Sequence, residues 1–336
     1  MKNTQILLAA RPVGWPKLSD FRIAATELPD LQDGEALVEA IYLSVDPYMR
    51  GRMSEGKSYA ASMQLGEVMV GGVVGRVLRS NDPSLSYGDY VEGFLGWQQY
   101  GIAPAKQLRK LDPQAGPLSA ALSVMGMPGL TAYFGLLDIC KPKRGETVVV
   151  SGAAGAVGSI VGQIARLKGC QVVGIAGTDD KVKWLTEELG FDSAFNYKAF
   201  PDTYGKLKDL CSKGIDCYFD NVGGTTTDAV FGLLNPNARI AICGQISQYN
   251  NTGLELGPRN LSQILVKTAT VRGFLVMQYL DQAREALIEM GGWLREGKLK
   301  YRETFVDGLE NAPAAFLGLL KGDNTGKMLV RVGAER

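Results

Sequence analysis

The feature that most constrains this chain is a strand–turn–helix pattern at residues 148–170, VVVSGAAGAVGSIVGQIARLKGC. The β-branched run predicts a buried strand, and apolar residues at helical spacing predict a helix over 156–168. Between them, Gly152, Gly155 and Gly158 form a turn without a charged side chain. Such glycines allow a tight turn and the close approach of a pyrophosphate, and the helix N-terminus offers it N–H groups. The pattern predicts a dinucleotide site, although a glycine turn without a ligand is the alternative.

Strand and helix patterns alternate from about residue 120 onward. A helix is predicted over 179–190, and further strands are predicted at 171–177, 215–224, 238–244 and 270–276. Strands that alternate with helices predict a parallel sheet covered on both faces. The expected fold class is therefore α/β, with a doubly wound Rossmann domain over residues 120–299.

The two ends of the chain differ from this middle part. Short glycine-rich strands are predicted at 35–45, 66–80 and 89–94, which indicates a mostly β domain. From about residue 300 the chain returns to strand-like and turn-like pieces, RETFVDG, PAAFLGLLKG and GKMLVRVG. We therefore expect residues 1–119 and 300–336 to form one substrate and catalytic domain.

Composition excludes several kinds of chemistry. The 336 residues contain no histidine, which excludes a Ser-His-Asp triad, an imidazole base and a histidine-ligated zinc ion. The five cysteines form no CxxC pair, so neither a disulfide framework nor a metal site is expected. The net charge of +1 predicts neither nucleic-acid nor membrane-surface binding. With no signal-peptide core and no run of roughly 18 apolar residues, we expect a cytoplasmic protein.

The end of the second Rossmann strand indicates which dinucleotide binds. NAD enzymes usually place Asp or Glu there, about 20 residues after the glycine turn, to hold the ribose 2′-hydroxyl. This chain has Gly177 and then Thr178 instead, which leaves room for a 2′-phosphate that Lys181 can neutralise. Asp179 and Asp180 favour NAD weakly, but both can serve the N-terminus of the next helix. The prediction is NADP(H), with a solvated Lys181 as the alternative reading.

Several segments, in the same order along the chain, resemble the zinc-independent medium-chain dehydrogenases/reductases, and within them the prostaglandin, alkenal and curcumin reductases. They are LSVDPYMRGRM, GMPGLTAYFGL, AAGAVGS, GFDSAFNYK, YFDNVGG, ICGQISQYN and KGDNTGK. The resemblance implies a GroES-like fold for the domain made by both chain ends. It also implies a homodimer. The segment TVRGFLV, residues 270–276, is expected to be an edge strand that can pair with its copy, and an edge covered by its own chain is the alternative. Gly66 and Glu67 are adjacent where zinc-dependent members have Gly-His-Glu.

The resemblance also assigns residues to the cofactor. Those that it implies for NADPH are Gly155, Ala156, Val157, Gly158, Lys181, Tyr197, Asn221, Cys243, Gly244, Tyr249, Phe274, Leu275, Val276 and Asn324. Lys181 and Tyr197 match positions that hold the adenosine 2′-phosphate. Asn324 matches a residue that reaches the cofactor from the C-terminal segment.

The activity implied by the resemblance is NADPH-dependent reduction of the C=C bond of small apolar α,β-unsaturated carbonyl compounds, such as 2-alkenals, enones and curcumin-like molecules. Hydride transfer to the β-carbon builds negative charge on the carbonyl oxygen. A tyrosine, with a pKa of about 10, is a neutral donor that suits this oxygen. Tyr249 and Tyr48, one from each domain, are the candidates. The ribose hydroxyl of the cofactor is an alternative donor, and either tyrosine can instead be an aromatic lining residue.

Two other functions stay open. One is a quinone oxidoreductase of the same superfamily, which would not need a pair of tyrosines. The other is a structural or regulatory protein that binds NADPH without turnover. The sequence also leaves the physiological substrate open, although residues 51–64 and 249–260 are expected to limit its size. Arg50 and Arg52 can pair with phosphate or support the domain interface, and we favour the second reading. Asp46, before a proline, is expected to be a turn residue.

Overall fold

The computed structural model describes residues 1–56 and 58–335, which form two compact units. Unit 1 consists of Met1–Ser123 together with the C-terminal segment that begins at Glu303, and unit 2 is Val124–Arg302. Lys57, inside the loop 51–64, and Arg336, the last residue of the predicted first domain, lie outside the described residues.

The strands and helices are numbered in chain order. The strands are β1 (Lys2–Leu8), β2 (Phe21–Glu27), β3 (Glu35–Ser44), β4 (Val73–Ser80), β5 (Tyr90–Gly93), β6 (Tyr100–Pro104), β7 (Arg109–Leu111), β8 (Thr147–Val150), β9 (Gln171–Ala176), β10 (Ser193–Asn196), β11 (Ile215–Asp220), β12 (Leu234–Ile242), β13 (Thr270–Gly273), β14 (Glu303–Asp307) and β15 (Lys327–Arg331). The helices are α1 (Met49–Arg52), α2 (Met127–Phe134), α3 (Gly158–Leu167), α4 (Asp179–Lys183), α5 (Thr203–Leu210), α6 (Gly224–Phe231), α7 (Leu261–Val266), α8 (Ala283–Arg295) and α9 (Ala312–Lys321). None of the helices in the described part of the chain is long and apolar enough to cross a bilayer.

Unit 1 is built on a mostly antiparallel sheet. Its strands follow the order β14–β15–β3–β4–β5–β7, β6 pairs with β3, and β1 and β2 form a separate pair. Among the described strands of this sheet, β14 and β15 are the one parallel pair. Buried apolar residues from β4, β15 and the turn before unit 2 pack together, among them Val74, Leu122 and Leu329. The pairing of β3 with β15 brings the end of β3 next to the C-terminal segment, although the two are far apart in sequence.

Unit 2 contains a six-stranded parallel sheet in the order β10–β9–β8–β11–β12–β13. Counted within the unit, this is the strand order 3-2-1-4-5-6 of the doubly wound nucleotide-binding fold, so the predicted fold class is confirmed. Every residue of β8 is buried, because the sheet is covered on both faces. The order reverses between β8 and β11, and ligands of such sheets bind at the carboxyl ends of strands beside this switch point.

Two predicted elements differ in the structure. The run 66–80 is regular strand only from Val73, because Gly66 has a φ of 86° and Gly71 and Gly72 pack directly against Trp97 and Leu122. The piece PAAFLGLLKG is helix α9 rather than a strand or turn. Pro313 lies in its first turn, and Gly322 ends it with a φ of 83°.

Candidate active site

The glycine turn connects β8 to α3 at the carboxyl end of the parallel sheet. Gly152 has a φ of 58°, a left-handed conformation that favours glycine. A Cβ on Gly158 would collide with the Gly152 carbonyl oxygen, so the missing side chain lets α3 pack closely on the turn. Val157 supplies no side-chain cap to the first N–H groups of α3. The turn, which holds Gly155, Ala156, Val157 and Gly158, therefore offers backbone donors that suit a phosphate.

The end of β9 leaves space where an NAD enzyme has an acidic side chain. A Cβ on Gly177 would lie 3.4 Å from Tyr197 Cε1 and 3.5 Å from Lys198 Cε. These are ordinary van der Waals distances, and they place the Tyr197 ring and the Lys198 side chain beside Gly177. Lys181 is in α4, where its backbone N–H donates to Thr178 Oγ1 at 3.3 Å. Our sequence reasoning missed Lys198, although it directly follows Tyr197 in the NYK segment.

Asn221 follows β11 and is tied to the turn after β8. Its backbone N–H donates to Ser151 Oγ at 2.9 Å, and its Nδ2 donates to the Ser151 carbonyl at 2.7 Å. The side chains of Asn221 and Val222 also lie within 3.5 Å of the position of a Cβ on Gly152. Asn221 therefore lies directly beside the glycine turn.

Asp220 is a buried carboxylate that connects three of these loops, and our sequence reasoning missed it. Its oxygens accept hydrogen bonds from the side chains or backbone of Ser151, Tyr218, Val222, Gly223, Thr227 and Gln245. So many donors satisfy a carboxylate that would otherwise be costly to bury. The only sequence indication was an acidic residue at the end of the apolar strand IDCYFD.

The segment after β12 brings Tyr249 back to the end of the sheet. The backbone N–H groups of Cys243 and Gly244 donate to the Asp220 carbonyl at 2.8 Å and 3.1 Å. The Gln245 N–H donates to Tyr249 Oη at 3.3 Å, and a Cβ on Gly244 would lie 3.2 Å from the same oxygen. Burial, with the charge of Asp220, raises the pKa of the Cys243 thiol to about 12, so this cysteine is not a thiolate nucleophile at neutral pH.

Phe274, Leu275 and Val276 follow β13. Phe274 is buried, with its ring edge-on to Phe219 at a centroid distance of 6.2 Å. The Leu275 N–H donates to Gln278 Oε1 at 3.2 Å, and Val276 begins a 3₁₀ turn. This segment therefore lies at the carboxyl end of the parallel sheet, as do the other candidate residues of unit 2.

In unit 1, Tyr48 precedes α1 and has a buried hydroxyl that meets no hydrogen-bond partner among the described residues. Burial, and to a lesser extent the negative charge of Asp46, raises the pKa of Tyr48 above its ordinary value. The phenol is therefore protonated at neutral pH and is able to donate a hydrogen bond.

The peptide that carries Tyr48 is anchored by a buried ion pair. Lys327 Nζ lies 3.0 Å from Asp46 Oδ1 and donates to the Val45 and Met328 carbonyls at 2.6 Å and 2.9 Å. The Asp46 carboxylate also accepts a hydrogen bond from the Ser44 hydroxyl, and the Asp46 carbonyl accepts the Met49 N–H at 3.2 Å in the predicted turn. Sequence reasoning missed Lys327, since nothing local indicates a partner so far along the chain.

Asn324 lies close to that ion pair in the chain but is engaged locally. Its Nδ2 donates to the Gly326 carbonyl at 2.7 Å, and its side chain is buried. The Val45 N–H donates to the Met328 carbonyl at 3.3 Å, so the segments that carry Tyr48 and Asn324 adjoin within unit 1.

The candidate residues of unit 2 share one edge. They follow the carboxyl ends of successive strands, with the glycine turn after β8, Lys181 after β9, Tyr197 after β10, Asn221 after β11, Cys243 to Tyr249 after β12, and Phe274 to Val276 after β13. Within residues 1–56 and 58–335, no three His, Cys, Asp or Glu side chains are grouped so that they could hold a metal ion.

Comparisons with known proteins agree with this architecture. The family described as "N-terminal domain of oxidoreductase" matches residues 4–111, and the family described as "Zinc-binding dehydrogenase" matches residues 156–291. The NADPH-dependent curcumin reductase of Escherichia coli is 48% identical over 339 residues, 99% of this chain and 98% of that protein. Prostaglandin reductase 1 of Bos taurus is 48% identical over 324 residues, 95% of this chain and 96% of that protein.

A solved structure is equally similar. CurA from Vibrio vulnificus, in complex with NADPH, has a TM-score of 0.95 and is 49% identical, with 99% of this chain and 100% of that chain covered. Although one matching family is named for zinc, this chain has no histidine. The chain belongs to the zinc-independent medium-chain dehydrogenases/reductases, in the branch that contains the prostaglandin, alkenal and curcumin reductases.

Proposed function

We propose that this protein reduces the C=C bond of α,β-unsaturated carbonyl compounds with NADPH. The proposal rests mainly on one edge of the parallel sheet. At this edge lie an uncharged glycine turn, Gly177 with no side chain, and the hydroxyl of Tyr249. Full-length similarity to enzymes named for curcumin and prostaglandin reduction supports the same activity. The substrate class is enones and 2-alkenals.

The cofactor is held by the loops that follow the strands of unit 2. The donors of the glycine turn and the start of α3 bind the pyrophosphate. Lys181 and Tyr197 bind the adenosine 2′-phosphate, for which Gly177 leaves room. Asn221 and the segments 243–249 and 274–276 contact the rest of the cofactor, and Asn324 reaches it from the C-terminal segment.

When bound, NADPH supplies a hydride, with its electron pair, to the β-carbon of the substrate. The C=C electron pair shifts toward the carbonyl oxygen, and the α-carbon then takes up one proton. Tyr249 and Tyr48 donate hydrogen bonds to that oxygen, where the negative charge develops. Tyr249 suits this role because the Gln245 N–H already holds its oxygen at 3.3 Å. Tyr48 suits it because its phenol stays protonated.

The protein acts as a homodimer in this proposal. In the part of the chain that the structure describes, β13 pairs with β12 alone, and all four of its residues are exposed. Nearby in the chain, Leu261 and Leu265 of α7 are 76% and 79% exposed. An open strand edge with apolar neighbours favours pairing with a second copy.

The proposed activity is tested by following the oxidation of the reduced nicotinamide. The purified protein is given a 2-alkenal, curcumin as an aryl enone, or a simple quinone, each with NADPH and with NADH. We expect turnover of both carbonyl compounds and a preference for NADPH. Turnover of the quinone alone would assign the protein to the quinone oxidoreductases, and the absence of turnover with all three would refute the proposal.

A further inference from the structure

Two arginines follow Tyr48 in the segment VDPYMRGRM, and the structure gives them different environments. Arg50 is buried, and its guanidinium donates to Ser54 Oγ at 2.6 Å and to the Gly14 carbonyl at 2.9 Å. Arg50 therefore joins α1 to the N-terminal segment and is structural.

Among the described residues, no hydrogen-bond acceptor meets the Nε of Arg52, which is a buried donor. The carboxylates nearest in sequence are engaged elsewhere, since Asp46 pairs with Lys327 at 3.0 Å and Glu55 pairs with Arg11 at 2.7 Å. A buried guanidinium donor without an acceptor is unfavourable, so an acceptor supplied by a bound molecule would stabilise this nitrogen.

Tyr48 and Arg52 face the same way. The Arg52 N–H donates to the Tyr48 carbonyl at 3.4 Å, which places the two residues one helical turn apart and on one face. The positive charge of Arg52 acts on the Tyr48 phenol, where it opposes the rise in pKa that burial causes. The Tyr48 hydroxyl is also a buried atom without a partner among the described residues. Two donors on neighbouring residues thus meet no acceptor among the described residues, and one of the two carries a charge.

We propose that Arg52 is a substrate-binding residue that donates, together with Tyr48, to the carbonyl oxygen of the substrate and stabilises the enolate. This inference rests on the function proposed above. A charge-assisted donor favours an oxyanion over a neutral carbonyl oxygen. The hydrogen bond from Arg52 therefore becomes strongest as the hydride reaches the β-carbon. A bond that strengthens in this way lowers the activation barrier rather than only tightening substrate binding.

The test uses Arg52→Gln, which removes the charge, and Arg52→Lys, which keeps it. The substrate is a short 2-alkenal with no polar group besides its carbonyl. We expect Arg52→Gln to lower kcat/KM by about 10²-fold, mainly through kcat, and Arg52→Lys to recover part of the loss. The Kd for NADPH and the unfolding temperature should stay close to those of the unsubstituted protein. Arg79→Gln, at an exposed arginine of β4, is the matched control and should leave kcat/KM unchanged.

A double substitution tests whether the two donors share one oxygen. The double variant Tyr48→Phe, Arg52→Gln should lower kcat/KM by less than the product of the two single fold-losses. If both donors bind one oxygen, the first substitution already removes part of the stabilisation that the second would remove. Multiplicative losses would contradict a shared oxygen.

Other outcomes separate this inference from the proposed function. Unchanged turnover of the alkenal by Arg52→Gln would overturn the assignment, even if KM rose for substrates with a carboxylate. A weaker Kd for NADPH of the same size as the loss in kcat/KM would assign Arg52 to the cofactor instead. An unsubstituted protein that reduces no enone would refute the proposed function and this assignment together.

Discussion

At the scale of single residues, the hydroxyl of Tyr249 is the donor that the backbone positions most directly. The Gln245 N–H holds its oxygen, and Gln245 Nε2 is anchored in turn at 3.0 Å by Asp220. We expect Tyr249→Phe to lower kcat for enone reduction by roughly 10²–10³-fold, as for the loss of one oxyanion donor. Steady-state kinetics measure this, with Tyr204→Phe, a half-exposed tyrosine of α5, as the control. An unchanged kcat would remove Tyr249 from the chemistry.

Lys181 is a second residue whose role a single substitution tests. If it binds the 2′-phosphate, Lys181→Ala should weaken NADPH binding by about 1.5–3 kcal/mol, the range for a hydrogen bond to a charged group. NADH lacks that phosphate, so its Kd should barely change. Titration of both cofactors measures the difference, and Lys183→Ala, at an exposed lysine of the same helix, is the control. Equal losses for NADPH and NADH would contradict the assignment.

At the scale of elements, the buried ion pair between Lys327 and Asp46 joins the start of β15 to the turn after β3. Lys327→Met leaves the Asp46 carboxylate buried without its cation, so we expect a loss of about 3–5 kcal/mol in the free energy of unfolding. Adding Asp46→Asn should restore part of it, because the uncompensated charge is gone.

Chemical denaturation measures both variants. Lys298→Met, which breaks an exposed ion pair with Glu296, is the control and should have no measurable effect, because exposed pairs contribute little. If Lys327→Met changes the free energy of unfolding no more than this control does, the buried pair is not needed for stability.

At the scale of the whole molecule, the open edge of β13 tests the proposed homodimer. Val271 is 38% exposed in the single chain and would be covered by a second copy. Val271→Asp should shift the protein toward a monomer, because a dimer would bury an unpaired charge. Light scattering after size-exclusion chromatography measures the mass. Ile23→Asp, at an exposed apolar residue of β2, is the control, and a dimer that withstands Val271→Asp would move the interface elsewhere.

Local patterns predicted the parts of the protein that depend on neighbours in sequence. The strand, the glycine turn and the helix after it are continuous in the chain, so periodicity and glycine positions predict them and the dinucleotide fold. Elsewhere the same reasoning was wrong, as for the segment that forms α9, whose apolar residues suit a strand or a helix equally. Only its capping by Pro313 and Gly322 distinguishes the two.

The sequence by itself determined the fold class, the absence of imidazole chemistry and the segments that resemble known reductases. Only the tertiary structure decided which polar groups meet. It brought Lys327 to Val45, 282 positions away, and it brought Ser151 and Gln245 to Asp220. It also distinguished Arg50, whose guanidinium donates to Ser54 and Gly14, from Arg52, whose Nε meets no acceptor among the described residues. The physical reason is that burial and hydrogen bonding depend on distance in space, which strand pairing sets and local sequence does not encode.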